Sequence, residues 1–360
     1  MGTDRTTQPS LDQAASSAVS TSAQAPAKEQ STIGVLLINT GTPASPDPQD
    51  IKPYLAEFLS DRHLIQVPRL IWWPILHGII LNTRPKKTSK RYQRIWTDDG
   101  SPFLLNAYRQ RDRLQDYFDH AGLSCQVRVG MRYGTPSIDE ALQAFEENAI
   151  THVIALPLFP ETAFCTTKTC LDKVREEAAH HRTITTVTTL SGYAHRKRYQ
   201  HALAQSIADV WDYQPGSKLL FSFHSVPLSD LAKGDTYVEE IETSVAAIMD
   251  LLGIPEEDWE IAYHSRFEDN RRWKGPHPRS VLTSWAQKGI TRVGLVAPGF
   301  STDCLETLYD CAIVQKDYFE QSCREQGTTA DFTYIPCLND RPDHIEALAQ
   351  VIIEAIPQAQ

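Results

Sequence analysis

The chain has 360 residues, enough for two domains or one large two-lobed domain. Apolar residues make up 41% and charged residues 22%, a globular composition outside the disordered regime. With 35 basic residues against 45 acidic ones the formal net charge is −10, which argues against a bulk electrostatic affinity for nucleic acid.

Residues 1–30 are rich in Ser, Thr, Ala and Gln and carry almost no large apolar side chain. Such a stretch cannot offset the cost of its own ordering, so a disordered tail is expected. It also lacks the apolar core of a signal peptide, which makes the cytoplasm the expected compartment. The seven cysteines (Cys125, Cys165, Cys170, Cys304, Cys311, Cys323 and Cys337) form no CxxC pair. Neither a disulfide framework nor a zinc ribbon is expected, in keeping with a reducing compartment.

From Ile33 onward, short β-branched runs alternate with longer segments of helical spacing. The first, Gly34-Val-Leu-Leu-Ile38, ends at Asn39-Thr-Gly-Thr-Pro43. Further runs lie at 126–131, 153–158, 184–189, 218–223, 261–264, 293–296 and 332–335. Runs apolar on both faces, separated by helix-length segments, predict an α/β fold with parallel sheets flanked by helices. A weak repeat runs through it: Ile150-Thr-His-Val153 is echoed by Ile290-Thr-Arg-Val293, Met131-Arg-Tyr133 by Ser265-Arg-Phe267, and Ala202-Leu-Ala-Gln205 by Ala347-Leu-Ala-Gln350. The offsets are 140, 134 and 145 residues, in the same order along the chain. Two similar Rossmann-like lobes are therefore expected, at 31–190 and 191–360, with the active cleft between them.

The spacing exposes an insertion in the first lobe. Ile38 to Met131 is 93 residues, whereas the corresponding step from Phe223 to Ser265 is 42. The surplus contains an apolar stretch at 64–81 that is too short and too interrupted by Pro, Arg and His for a membrane span. It reads either as a buried helix pair or as an apolar lip that dips into a membrane interface or receives a greasy ligand. The adjacent Trp72 and Trp73, followed by Arg84, Lys86, Lys87, Lys90, Arg91 and Arg94, suit the lip better.

In open α/β sheets ligands bind beyond the carboxyl ends of the strands. That rule selects His224 after the run 218–223, Glu306 at the helix start after the run 293–296, and Arg132 and Tyr133 after the run 126–131. Each has a structural alternative. His224 could be a core histidine, Asp303-x-x-Glu306 could be a capping box, and Arg132 could pair with a surface carboxylate. Taken together, an imidazole and a carboxylate at two strand ends make an open N/O site suited to Fe2+ and able to accept protons.

At these residues the chain resembles the ferrochelatase family, in its Gram-negative bacterial branch, from about Ile33 to Ile356. The markers are Leu37-Ile-Asn-Thr-Gly-Thr-Pro43, Phe58-Leu-Ser-Asp61, Gly100-Ser-Pro102, Met131-Arg-Tyr-Gly134, Leu156-Pro-Leu-Phe-Pro160, Ser222-Phe-His-Ser-Val-Pro227, Ser265-Arg-Phe267, Pro298-Gly-Phe300, Asp303-Cys-Leu-Glu-Thr307 and Tyr334-Ile-Pro336. The resemblance implies a chelatase fold and insertion of Fe2+ into protoporphyrin IX, giving protohaem at the end of haem synthesis, with no organic cofactor. It makes His224 the active-site histidine, as base or metal ligand, and Glu306 its carboxylate partner in proton removal or iron delivery. It sets Thr40, Ser101, Arg132, Tyr133 and Ser229 around the porphyrin. In that reading the lip 64–81 would admit the apolar substrate from the membrane surface, with peripheral contact to the inner membrane; the chain itself is expected as a monomer or homodimer.

One loop departs from the family pattern Gln-Ser-Arg-Phe-Gly-x-x-Pro-Trp: the chain reads His264-Ser-Arg-Phe-Glu-Asp-Asn-Arg-Arg-Trp273, one residue longer. His264 is then a second imidazole near the site or a surface-loop histidine. No Cys-rich extension follows Ile356, and a [2Fe–2S] cluster would need Cys165, Cys170, Cys323 and Cys337 to converge from distant segments, so none is expected. Two other readings stand beside the enzyme of protoporphyrin: a ferrochelatase for coproporphyrin III, and a non-enzymatic tetrapyrrole-binding or solute-binding protein that uses His224 as an axial ligand.

Overall fold

Eight short segments rich in Val, Ile, Leu and Phe form parallel strands in the computed structural model, which describes residues 32–266 and 271–357. The predicted tail and positions 267–270 of the altered loop lie outside the described residues. The strands are β1 (Ile33–Asn39), β2 (Cys125–Met131), β3 (His152–Pro157), β4 (Thr186–Thr189), β5 (Lys218–His224), β6 (Trp259–His264), β7 (Arg292–Val296) and β8 (Asp331–Ile335). The inner strands β1 and β5 are buried along nearly their whole length, because helices cover both faces of each sheet.

The two sheets have the orders β2-β1-β3-β4 and β6-β5-β7-β8. Adding four to each strand of the first gives the second, so the repeat read in the sequence is a repeat of topology. In such an order the connection after the first strand runs one way along the sheet and the connection after the third runs the other. A crevice opens between these two strand ends, the topological switch point. It lies between β1 and β3 in the first sheet and between β5 and β7 in the second.

Helices Pro102–His120, Lys197–Val210, Tyr237–Leu252 and Pro342–Ile353 pack into one apolar core shared by both sheets. Separate clusters cover the outer face of each sheet. The insertion forms helices Pro48–Phe58, Arg69–Ile75 and Leu81–Tyr92, with a π-turn at Leu76–Ile80. It has a small core of its own in Ile51, Leu55, Leu59, Leu76, Leu81 and Tyr92. Stretch 64–81 is not a buried helix pair, since Val67, Leu70, Ile71, Trp73, Ile75 and Ile79 are exposed. Among the described residues no helix is long and apolar enough to cross a membrane.

Candidate active site

A single cleft of about 1460 Å³ runs over the carboxyl ends of both sheets. Its volume exceeds the range of roughly 300–1,000 Å³ usual for small-ligand pockets, so it has room for an occupant larger than an ordinary small ligand. His224 ends β5 and Glu306 follows β7, so the two side chains flank the switch point of the second sheet, and both line the cleft.

The His224 ring is fixed by its own backbone neighbour: Nδ1 lies 2.7 Å from the Ser225 carbonyl oxygen. A carbonyl only accepts, so in the neutral ring Nδ1 carries the hydrogen and Nε2 keeps its lone pair. Burial holds the imidazole below its ordinary pKa, against the opposing pull of the Glu306 carboxylate and the Ser225 carbonyl. His224 is thus neutral at pH 7 with Nε2 turned into the cleft as an acceptor, not a core histidine with both nitrogens satisfied by backbone.

Glu306 does not cap a helix. The segment Leu305–Gln315 is an eleven-residue π-helix whose N-cap is Cys304, and the Cys304 amide is taken by Thr307 Oγ1 at 2.8 Å. Asp303 accepts from Tyr334 OH at 2.6 Å and from Asn339 Nδ2 at 2.7 Å. The wider turn of a π-helix aligns residues close to four apart, so Glu306, Asp310 and Val314 all line the cleft. Burial, with the nearby charge of Glu306, pushes Asp310 up to about 6, and Ser265 Oγ donates to it at 3.0 Å.

His264 lies opposite His224 in the β5–β6 register and is 1% exposed, so it is a buried second imidazole and not a surface-loop residue. Its Nδ1 lies 2.7 Å from Ser222 Oγ, its ring stacks on Phe300, and its centroid is 6.1 Å from that of His224. Burial, reinforced by the other imidazole, holds it well below the ordinary value.

Thr40 and Ser101 line the cleft, and Ser101 Oγ shares a 3.0 Å hydrogen bond with Thr42. The turn Thr40-Gly41-Thr42 hugs the end of β2. At Gly41, with φ +110°, a Cβ would stand 1.9 Å from the Tyr133 carbonyl oxygen, so no other residue fits. Arg132 and Tyr133 are not among the residues lining the cleft, and the surface carboxylate expected for Arg132 is in fact a buried one. Arg132 Nη2, Tyr133 OH and Thr169 Oγ1 all donate to Asp61 Oδ2, at 2.5, 2.8 and 2.5 Å. Burial alone would raise the pKa of Asp61. The hydrogen bonds from Thr169, the His63 amide and Tyr133, with the charge of Arg132, hold it below the usual carboxylate range instead. Ser229 is exposed on the short helix Leu228–Leu231, outside the cleft lining.

The cations that do line the cleft are Arg84, Lys87 and Arg91 of helix Leu81–Tyr92, with Arg266, Arg271 and Arg279 on the far side. Arg84, Lys87 and Arg91 belong to the basic run noted after the Trp pair, whereas strand-end reasoning passed over Arg266, Arg271, Arg279, Asp310 and Glu161, a buried acid of the cleft wall. Among the described residues, no group of three or more His, Cys, Asp and Glu side chains is close enough to hold a metal ion together.

A family model described as Ferrochelatase matches residues 32–356. The chain is 38% identical over 321 residues to the ferrochelatase of Aromatoleum aromaticum, covering 89% of this chain and 86% of that one. It is 36% identical over 324 residues to the ferrochelatase of Haemophilus influenzae, covering 90% and 98%. Among solved structures, SirB from Bacillus subtilis with Fe3+ superposes with a TM-score of 0.54 at 10% identity, over 90% of this chain and 95% of that one. A multi-domain Deinococcus radiodurans protein with structural similarity to chelatases gives 0.53 at 13% identity, over 91% and 56%. The structural likenesses identify the fold, a chelatase-type pair of α/β sheets.

Proposed function

The chain belongs to the ferrochelatase family, enzymes that act on a porphyrin and ferrous iron, and from that premise we propose that it inserts Fe2+ into protoporphyrin IX to give protohaem, the last step of haem synthesis. The observation that carries this reading is the pair His224 and Glu306 at one switch point of the large cleft, with Nε2 of the histidine left as an acceptor. In this reading His224 takes a pyrrole proton and meets the metal, and Glu306 removes a proton or passes iron to it. Binding energy along the apolar walls bends the ring so that its nitrogens face the incoming ion. The products are the metallated ring and two protons.

Protoporphyrin suits the cleft better than coproporphyrin III. The lip side of the wall is built from Leu64, Ile65, Val67, Trp72, Ile75 and Ile80, where two extra carboxylates would be poorly solvated. Arg84, Lys87 and Arg91 line the same cleft and would supply the charge-assisted donors that propionates need. We assign Thr40 and Ser101 to the macrocycle, and Arg132 and Tyr133 to holding the cleft wall through Asp61. Ser229 belongs to the outer edge of the second half. No organic cofactor and no iron–sulfur cluster is required. The enzyme would work in the cytoplasm, with stretch 64–81 resting on the inner membrane.

The test is anaerobic insertion of Fe2+, or Zn2+ in its place, into protoporphyrin IX and coproporphyrin III, followed by the Soret and Q bands. Turnover with protoporphyrin that is lost in His224→Ala is the expected result. Tight porphyrin binding without insertion would make the chain a tetrapyrrole carrier.

A further inference from the structure

The switch point of the first sheet carries an acid of its own. Glu161 follows β3 as Glu306 follows β7, and each strand is followed by a π-helical turn, Phe164–Lys168 in one case and Leu305–Gln315 in the other. Glu161 belongs to the cleft wall yet is only 2% exposed. Its carboxyl reaches across to the second half. A Cβ placed on Gly299 would lie 3.5 Å from Glu161 Oε2, 3.5 Å from Tyr237 OH and 3.1 Å from Phe223 Cδ1.

Glu161 Oε2 is buried without a hydrogen-bond partner. Tyr193, whose titration feels the Glu161 charge, has its OH within hydrogen-bonding reach of Ser301. An acceptor left bare in the interior costs about 1–3 kcal/mol, so Glu161 Oε2, at the edge of the cleft, calls for a water. The groups facing Glu161 are Glu240 and Tyr237 on helix Tyr237–Leu252, Tyr193 in the preceding loop, Tyr199 on helix Lys197–Val210 and Tyr263 on β6. None of these is a cation. Burial, with the Glu240 charge added, pushes Glu161 up to about 8, so it rests as the neutral acid and ionises close to working pH.

We propose that Glu161 is a positioning residue for proton transfer: its Oε2 holds a buried water through which the second proton of the macrocycle leaves. The role rests on the ferrochelatase reading. As Fe2+ bonds to the ring nitrogens, one N–H proton passes to His224 Nε2. The other passes to the water, which hands a proton to the ionised Oε2 and is itself restored. Glu161 becomes the acid again and later releases its proton to solvent. A group whose pKa lies near the operating pH is suited to such exchange.

The experiment is single-turnover insertion of Zn2+ into protoporphyrin IX by the full chain and by Glu161→Gln and Glu161→Asp, from about pH 6 to about pH 9. The parent is expected to speed up as pH passes about 8. Glu161→Gln should lose that rise and run roughly tenfold slower at the alkaline end, with porphyrin affinity by fluorescence quenching unchanged. Glu161→Asp should regain the rise. Infrared spectra of the parent should show a protonated carboxyl band at neutral pH that fades on ionisation and is missing from Glu161→Gln. An active parent whose profile superimposes on that of Glu161→Gln overturns this role alone, as does a parent lacking the band. A parent that inserts no metal overturns the chelatase reading and this role together.

Discussion

Arg132 Nη2 donates to Asp61 Oδ2 at 2.5 Å, and both side chains are largely buried, at 15% and 2% exposure. The pair ties the end of β2 to the loop from which the lip departs, with Thr169 and Tyr133 completing the shell. Removing one partner of a buried ion pair leaves an uncompensated charge and costs about 3–5 kcal/mol. Arg132→Ala should therefore lower denaturant stability by that order while porphyrin affinity of the folded fraction stays close to the parent value. The loss should shrink in acid, because the folded pKa of Asp61 is depressed. Its stabilisation is present above the ordinary carboxylate value and disappears as pH falls through the folded value. A fully stable Arg132→Ala that binds porphyrin poorly would instead make Arg132 a propionate partner.

The eight strands were legible because parallel strands covered on both faces read as continuous apolar runs, and the offsets 134, 140 and 145 are those separating the starts of β2 and β6, β3 and β7, β4 and β8. His224 and Glu306 were legible because strand ends at a switch point are set by topology. Side-chain destinations were not. Nothing in Met131-Arg-Tyr-Gly134 says that both side chains turn to Asp61, 71 and 72 residues earlier in the chain, and the line Glu306, Asp310, Val314 went unread because the strand-end rule stops at the helix start after the strand, although residues four apart share a helix face. His264 looked polar from its neighbours in sequence, yet its β5–β6 register buries it.

The electrostatic link between His224 and Glu306 can be read from the acid limb of activity. Burial depresses the imidazole and the Glu306 carboxylate partly restores it. Insertion should fall as His224 becomes protonated, below the ordinary histidine value. In Glu306→Gln the opposing charge is gone, so the limb should move to still lower pH while the rate drops by roughly two to four orders of magnitude. A limb that stays in place would mean that His224 is not the titrating group.

Across the mouth, Gln66 of the lip is hydrogen-bonded to the second half. Gln66 Nε2 donates to Asp230 Oδ1 at 3.0 Å, and Lys233 Nζ donates to Gln66 Oε1 at 3.0 Å. Asp230 is 2% exposed and Lys233 Nζ stands 3.5 Å from its Oδ1, so the bond from Gln66 is a charge-assisted one worth about 1.5–3 kcal/mol. Gln66→Glu sets a second carboxylate against Asp230 and should loosen the clasp. Stopped-flow quenching should then show porphyrin dissociation about tenfold faster or more, with KM raised and single-turnover insertion nearly unchanged. Unaltered dissociation would mean that the macrocycle does not pass this clasp.

The lip divides its two tryptophans between different tasks. Trp72 is half-buried and donates from Nε1 to the Leu59 carbonyl oxygen at 2.7 Å, so it fastens the lip to helix Pro48–Phe58. Trp73 is 47% exposed, Leu70 is 93% exposed, and Arg69 stands 5.9 Å from the centre of the Trp73 ring. An aromatic and an aliphatic anchor beside cations is the pattern of a segment that enters the interface of an anionic bilayer. Each anchor would contribute about 1.5–3 kcal/mol on burial. Trp73→Ser with Leu70→Ser should accordingly reduce flotation on anionic vesicles at least about tenfold, while insertion into detergent-dispersed porphyrin continues. Trp72→Ser should act differently, lowering thermal stability through the lost hydrogen bond and the lost packing. Flotation unchanged in the double variant would remove the lip from membrane contact and leave it as a wall of the cleft.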